Sequence, residues 1–298
     1  MNKAKANKPK DIFDTACIRA RRGKGQKLAG PDDDPYLLIR CAEDAVERIL
    51  DINRAFSRTL IFANIEISKL IKTRTEYKLG HIICVDHTNH TNGLDLVCRE
   101  TALPFAPHSF DLVINCLSLH TVNNVQHALM EMKNLLKPDG IFIGALFGGE
   151  TLGALRHALY ETEDTLYSRV TPRVSPMISL QQAAKLLQSS GFTMPVSDRD
   201  LVQTHYTNMR SLFYDLRRMG ETNALLGRTN MPVSKRFFEM LTHIYTRDHA
   251  NNAGKLIVKF DILWLTGWAH HKDQPKPLKP GSATTRLSDV LGVPESKF

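Results

Sequence analysis

From Tyr36 to Leu50 the apolar residues Leu37, Leu38, Cys41, Ala45, Ile49 and Leu50 recur at helical spacing, which predicts an amphipathic helix. Two short apolar runs follow, Thr59 to Ala63 and His81 to Asp86, and each reads as a buried strand; Glu66 to Thr73 between them reads as a helix. The middle of the chain repeats this order. Phe110 to Cys116 is a strand, Val125 to Leu136 a helix with Ala128, Leu129, Met132, Leu135 and Leu136 on one face, and Lys137 to Gly140 a turn that stops it. Ile141 to Leu146 then returns as a strand. Beyond it the pattern predicts helices over 151–167, 180–190, 209–219 and 234–246, with strands over 201–206 and 256–265. Strands alternating with helices argue for an α/β fold, a mostly parallel sheet covered on both faces.

Composition changes this picture little, but charge divides the chain. Residues 1–30 hold nine basic side chains against Asp11 and Asp14, a net of +7 within a total of +8. A basic head on a near-neutral body reads as a solvated arm over residues 1–35, ahead of a domain over 36–270 with a helical cap at about 208–250 and a tail over 271–298. No basic stripe interleaved with aromatics supports a nucleic-acid interface, and no apolar run is long enough for a membrane span. The five cysteines form no CxxC pair and read as buried thiols of a reducing compartment: the cytoplasm of a bacterium, or the mitochondrial matrix of a eukaryote.

The run Leu103-Pro104-Phe105 through Asp111 to His120, followed by Leu136-Lys137-Pro138-Asp139-Gly140, resembles the region of the fourth and fifth strands in class I S-adenosylmethionine-dependent methyltransferases. Gly148 to Leu152, Asp215 to Gly220, Thr222 to Ala224, Lys279 to Ser282 and the early Ile12-Phe13-Asp14 extend the resemblance to one branch. That branch contains the malonyl-carrier methyltransferase of biotin synthesis and the methyltransferase-fold assembly factor of respiratory complex I. The resemblance implies a Rossmann-like seven-stranded sheet and a protein or carrier-bound acceptor. For the complex I branch it implies an assembly role or arginine hydroxylation on a partner subunit.

The resemblance also implies S-adenosylmethionine held at three anchors beyond the first strands. The first is a glycine-rich turn, yet the chain reads Ile61-Phe62-Ala63-Asn64-Ile65 there and has no glycine between Gly30 and Gly80. Branched side chains resist the positive φ and close approach that glycine allows, so this turn crowds the donor. The second anchor, an acid for the ribose, falls on Asp86. The third, an acid for the base, falls on Arg99, and a shift of one residue would bring Glu100 there. Leu103 and Asn115 complete the expected donor lining, and His120 at the end of the fourth strand is a candidate base facing the acceptor. The residues therefore leave open an enzyme with a degenerate donor turn or an inactive assembly factor.

The remaining constellations have simpler readings. His87 and His90, and the pair His270 and His271, lack a nearby cysteine or paired carboxylate, so no metal is expected. Tyr206, Tyr214, Trp264 and Trp268 fit core packing better than an acceptor pocket. No Gly-x-Ser-x-Gly surrounds Ser118, which excludes a nucleophile elbow.

Overall fold

The computed structural model describes residues 11–28, 30, 35–88, 93–229, 231–275, 282 and 292. In chain order the elements are α1 (Thr15–Leu28), α2 (Tyr36–Asp51), β1 (Phe56–Phe62), α3 (Ile65–Arg74), β2 (Leu79–Asp86), β3 (Leu96–Val97), β4 (Phe110–Cys116), α4 (Val125–Leu135), β5 (Leu136–Phe147), α5 (Gly153–Tyr167), α6 (Leu180–Ser189), β6 (Thr193–Tyr206), α7 (Met209–Arg218), α8 (Lys235–His249) and β7 (Leu256–Trp268). They form a seven-stranded sheet in the order β3-β2-β1-β4-β5-β7-β6. Strands β1 to β5 run parallel, while β7 inserts antiparallel between β5 and β6.

Both faces of the parallel strands are covered, which is why they read as continuous apolar runs instead of alternating ones. Ile61, Ile114 and Ile143 face one core with α2, α5, α7 and α8, whereas Leu60, Phe62, Val113 and Phe142 face the other with α4 and α6. Helix starts are fixed by side-chain caps: Asn64, Asn124, Asn208 and Ser234 each accept a backbone N–H of the first turn, and Ser179 with Gln182 forms a capping box. Trp264 and Tyr206 are core residues, as their spacing predicts, and Tyr214 lies exposed. The sheet changes direction between β1 and β4, so a crevice opens at the carboxyl ends of these strands.

The structure departs from the sequence reading in three places. Residues 15–28, assigned to a solvated arm, are helix α1 and bury Ile18, Arg22, Gly25 and Gln26. Asp14 caps it through the Cys17 amide, Phe13 bridges to Leu225, and the Asn123 side chain clasps the backbone of Ile12 and Phe13. The turn over 137–140 is instead the first part of β5, paired to β4 at Phe110 with an irregularity in register. Strand β6 starts eight residues earlier than its pattern suggests, because its partner β7 pairs with it back to Thr193. Most of the expected tail, and residues 1–10, lie outside the described residues.

Candidate functional site

Where a glycine turn would admit the methionine end of a donor, the chain from Ala63 to Ile67 is built into the fold. The Ala63 amide donates to the Val85 carbonyl, Asn64 caps α3, and Ile65 and Ile67 are buried. At the end of β2 the Asp86 carboxylate is 3% exposed and accepts hydrogen bonds from Gln26 Nε2 (2.9 Å) and the His87 amide. Thr88 donates to the same Gln26 amide from its carbonyl side. Helix α1 thus lays its own Gln26 on the acid expected to take the ribose. Between Asn64, Asp86, Leu117 and Arg22 a cavity of ≈ 20 Å³ remains, room for about one water. The acids fit S-adenosylmethionine, whose sulfonium carries the transferable methyl group, but with α1 seated as it is the cavity beside Asp86 is far smaller than that molecule.

The base side of the cleft is more open. A cavity of ≈ 400 Å³ lies against Val97, Glu100, Arg19 and Asn123. In the loop after β3 the buried acid is Glu100, at 2% exposure, while Arg99 points outward. The Glu100 carboxylate meets His87 Nε2 at 2.9 Å; burial pushes its pKa up, but the His87 ring and Arg22 hold it below the ordinary range. Asn115 is wholly buried and tied to Ser118, Leu103 packs in the core beneath the sheet, and Ala63, Leu103 and Asn115 line none of the cavities described here. His87 is occupied by Glu100, His271 lies 3.6 Å from Asp273, and His90 lies outside the described residues.

His120 lies in a single helical turn, Leu119–Thr121, after β4. Its Nε2 meets Glu221 Oε2 at 3.0 Å and its ring lies against Phe147, centroids 4.7 Å apart. Glu221 also faces Arg22 Nη2 at 3.6 Å. Burial raises the Glu221 pKa, yet His120 and Arg22 together hold it below the ordinary carboxylate value. Sequence reasoning missed Arg22, Gln26 and Glu221. The first two sit in a segment with no apolar periodicity, and Glu221 lies between two matched motifs.

Glu221 and Phe147 separate the small cavity from a second chamber of ≈ 220 Å³ beneath the α7–α8 cap. Leu155, Leu159, Phe213, Phe237 and Phe260 make this chamber largely apolar, with the part-buried Glu221 as its acid, Arg217 exposed at its edge and Arg173, paired with Glu163, also in its wall. The arrangement is a donor cleft and an apolar chamber sharing one carboxylate.

Asp86 carries a test. Burial is the main influence on it and raises its pKa above 3.8, so its ionised form costs stability as pH rises through the folded value. Asp86→Asn keeps an acceptor for Gln26 and removes that charge. Thermal unfolding at pH 7 is expected to show equal or higher stability, with weaker S-adenosylmethionine binding by calorimetry.

Comparison with known proteins agrees with the fold. The family described as Methyltransferase domain matches residues 73–144. The YcgJ protein of Bacillus, a solved structure, superposes with a TM-score of 0.53 at 16% identity, covering 78% of this chain and 99% of its own. Malonyl-[acyl-carrier protein] O-methyltransferase of Xylella fastidiosa is 30% identical over 60% of this chain and 58% of its own length. Arginine-hydroxylase NDUFAF5, mitochondrial, of Mus musculus is 31% identical over 94% of this chain and 86% of its own length, and the Homo sapiens protein of that name is 30% identical over 94% and 83%. The chain belongs to the NDUFAF5 family of S-adenosylmethionine-dependent methyltransferase-fold proteins.

Proposed function

We propose that this protein acts on an arginine side chain of a protein partner during the assembly of respiratory complex I. The observation that carries the reading is Glu221, a carboxylate 13% exposed in the wall of an apolar chamber beside the donor cleft. An arginine has the matching form, an aliphatic stem that packs on apolar surface and a guanidinium that needs a carboxylate. The names of the relatives covering nearly the whole chain, arginine-hydroxylase, support the same acceptor. We read the compartment as the mitochondrial matrix, or the cytoplasm of a bacterium; the relatives named mitochondrial support the first.

In this reading S-adenosylmethionine belongs at Asp86 and Glu100. The chain's own residues orient the acceptor: Glu221 pairs with the guanidinium, His120 holds Glu221, and the aromatic wall excludes water. The test compares complex I subunits from cells with and without the protein by peptide mass spectrometry. One subunit arginine is expected to carry an added oxygen or methyl only when the protein is present, and Glu221→Gln is expected to abolish it. Identical arginines in all three samples would refute the reading.

A further inference from the structure

Arg22 reaches the polar edge of the cleft through one nitrogen. Its Nη2 donates to the Leu117 carbonyl (3.1 Å) and to Thr121 Oγ1 (3.3 Å) and lies 3.6 Å from Glu221 Oε1. The receiving groups are set up by the body of the fold. Leu117 holds φ at 54°, a conformation costly for leucine, and its amide is fixed on the Ala145 carbonyl. Thr121 Oγ1 donates its proton to the Ser118 carbonyl, which leaves it only lone pairs to offer. His120 Nδ1 is buried and has no partner among the described residues.

Around Arg22 Nη2 this edge presents three acceptors: a carbonyl, a hydroxyl oxygen and a carboxylate. A guanidinium, with five N–H donors in a rigid fork, is the side-chain group that matches it. Helix α1 is seated by shape. A Cβ on Gly25 would stand 2.4 Å from the Arg218 carbonyl oxygen, and one on Gly220 would stand 2.8 Å from the Arg22 Cα.

We propose that Leu117 O, Thr121 Oγ1 and Glu221 form a guanidinium seat. Arg22 of the protein's own first helix fills it in the free protein, and an arginine of the partner takes it when α1 withdraws. The proposal rests on the reading that the acceptor is an arginine. The same withdrawal frees Asp86 from Gln26, so the donor and acceptor seats open together.

The experiment titrates arginine amide into full-length wild-type protein and Arg22→Ala, with lysine amide as the control cation, followed by calorimetry and amide NMR. Emptying the seat removes the internal competitor, so arginine amide is expected to bind Arg22→Ala at least about tenfold more tightly than wild type. Lysine amide, without the fork, gains nothing, and adding Glu221→Gln to Arg22→Ala removes the gain. Gly25→Ala lifts α1 with the seat intact and is expected to show the same gain, which keeps the test open should Arg22→Ala unfold. Equal affinity of folded wild type and variants for arginine amide, or an equal gain for lysine amide, overturns the seat. Arg22-dependent binding without any modified partner arginine supports the seat and removes the proposed function; a modified arginine without such binding removes the seat alone.

Discussion

Glu221→Ala is expected to lower the thermal midpoint by roughly 6 °C at pH 7, the equivalent of about 3 kcal/mol in a chain of this size. The substitution leaves Arg22, which is 8% exposed, without its nearest counter-ion and strips His120 Nε2 of its partner. Breaking a buried pair from one side costs about 3–5 kcal/mol, and Asp86 and Glu100, which also face Arg22, hold the loss near the lower end. The effect depends on pH in a definite direction. The folded-state pKa of Glu221 is depressed below its ordinary 4.5, so the stability it contributes is present above that value and is lost as pH falls through the folded one. Wild type and variant therefore converge in acid. Differential scanning calorimetry from pH 7 to well below pH 4 measures this; a variant gap that widens in acid would contradict it.

Trp264→Ala is expected to cost about 3–5 kcal/mol, the largest single loss in the chain. The indole is fully buried in β7, and the Arg48 guanidinium lies 4.4 Å above its ring while pairing with Asp198 of β6. Truncation opens a cavity and unseats that clamp between α2 and the sheet. Trp264→Phe separates the contributions. The indole Nε1 has no hydrogen-bond partner among the described residues, so phenylalanine forfeits volume and no bond there, and the cost falls to about 1–2 kcal/mol. Urea unfolding of the two variants gives the comparison, and equal losses would refute the packing account.

The sheet was legible because its physics is local. Strands β4 and β5 are buried on both faces, so Phe110–Cys116 and Ile141–Leu146 stand out as unbroken apolar runs. The amphipathic α2 could be read from its apolar stripe alone. Helix α1 could not, since TACIRARRGKGQKL carries two glycines, five basic residues and no stripe, and it forms only because the rest of the fold receives it. The site divides in the same way. Asp86 was readable as an acid closing a strand. The Arg22–Glu221 contact joins residues nearly two hundred apart and leaves no pattern in sequence. Glu100 shows the limit in miniature: counting placed Arg99 at the base-binding position, and only the bend after β3 decides which of two adjacent side chains turns inward.

Those particulars make the first helix the centre of the account. Its Gln26 covers Asp86, and beside the glycine-free turn only a cavity of ≈ 20 Å³ remains. The most direct measurement is backbone amide hydrogen exchange across residues 15–28, with and without saturating S-adenosylmethionine. The account predicts that donor binding accelerates exchange in α1 while protection rises around Asp86. Donor binding with α1 protection unchanged would contradict it.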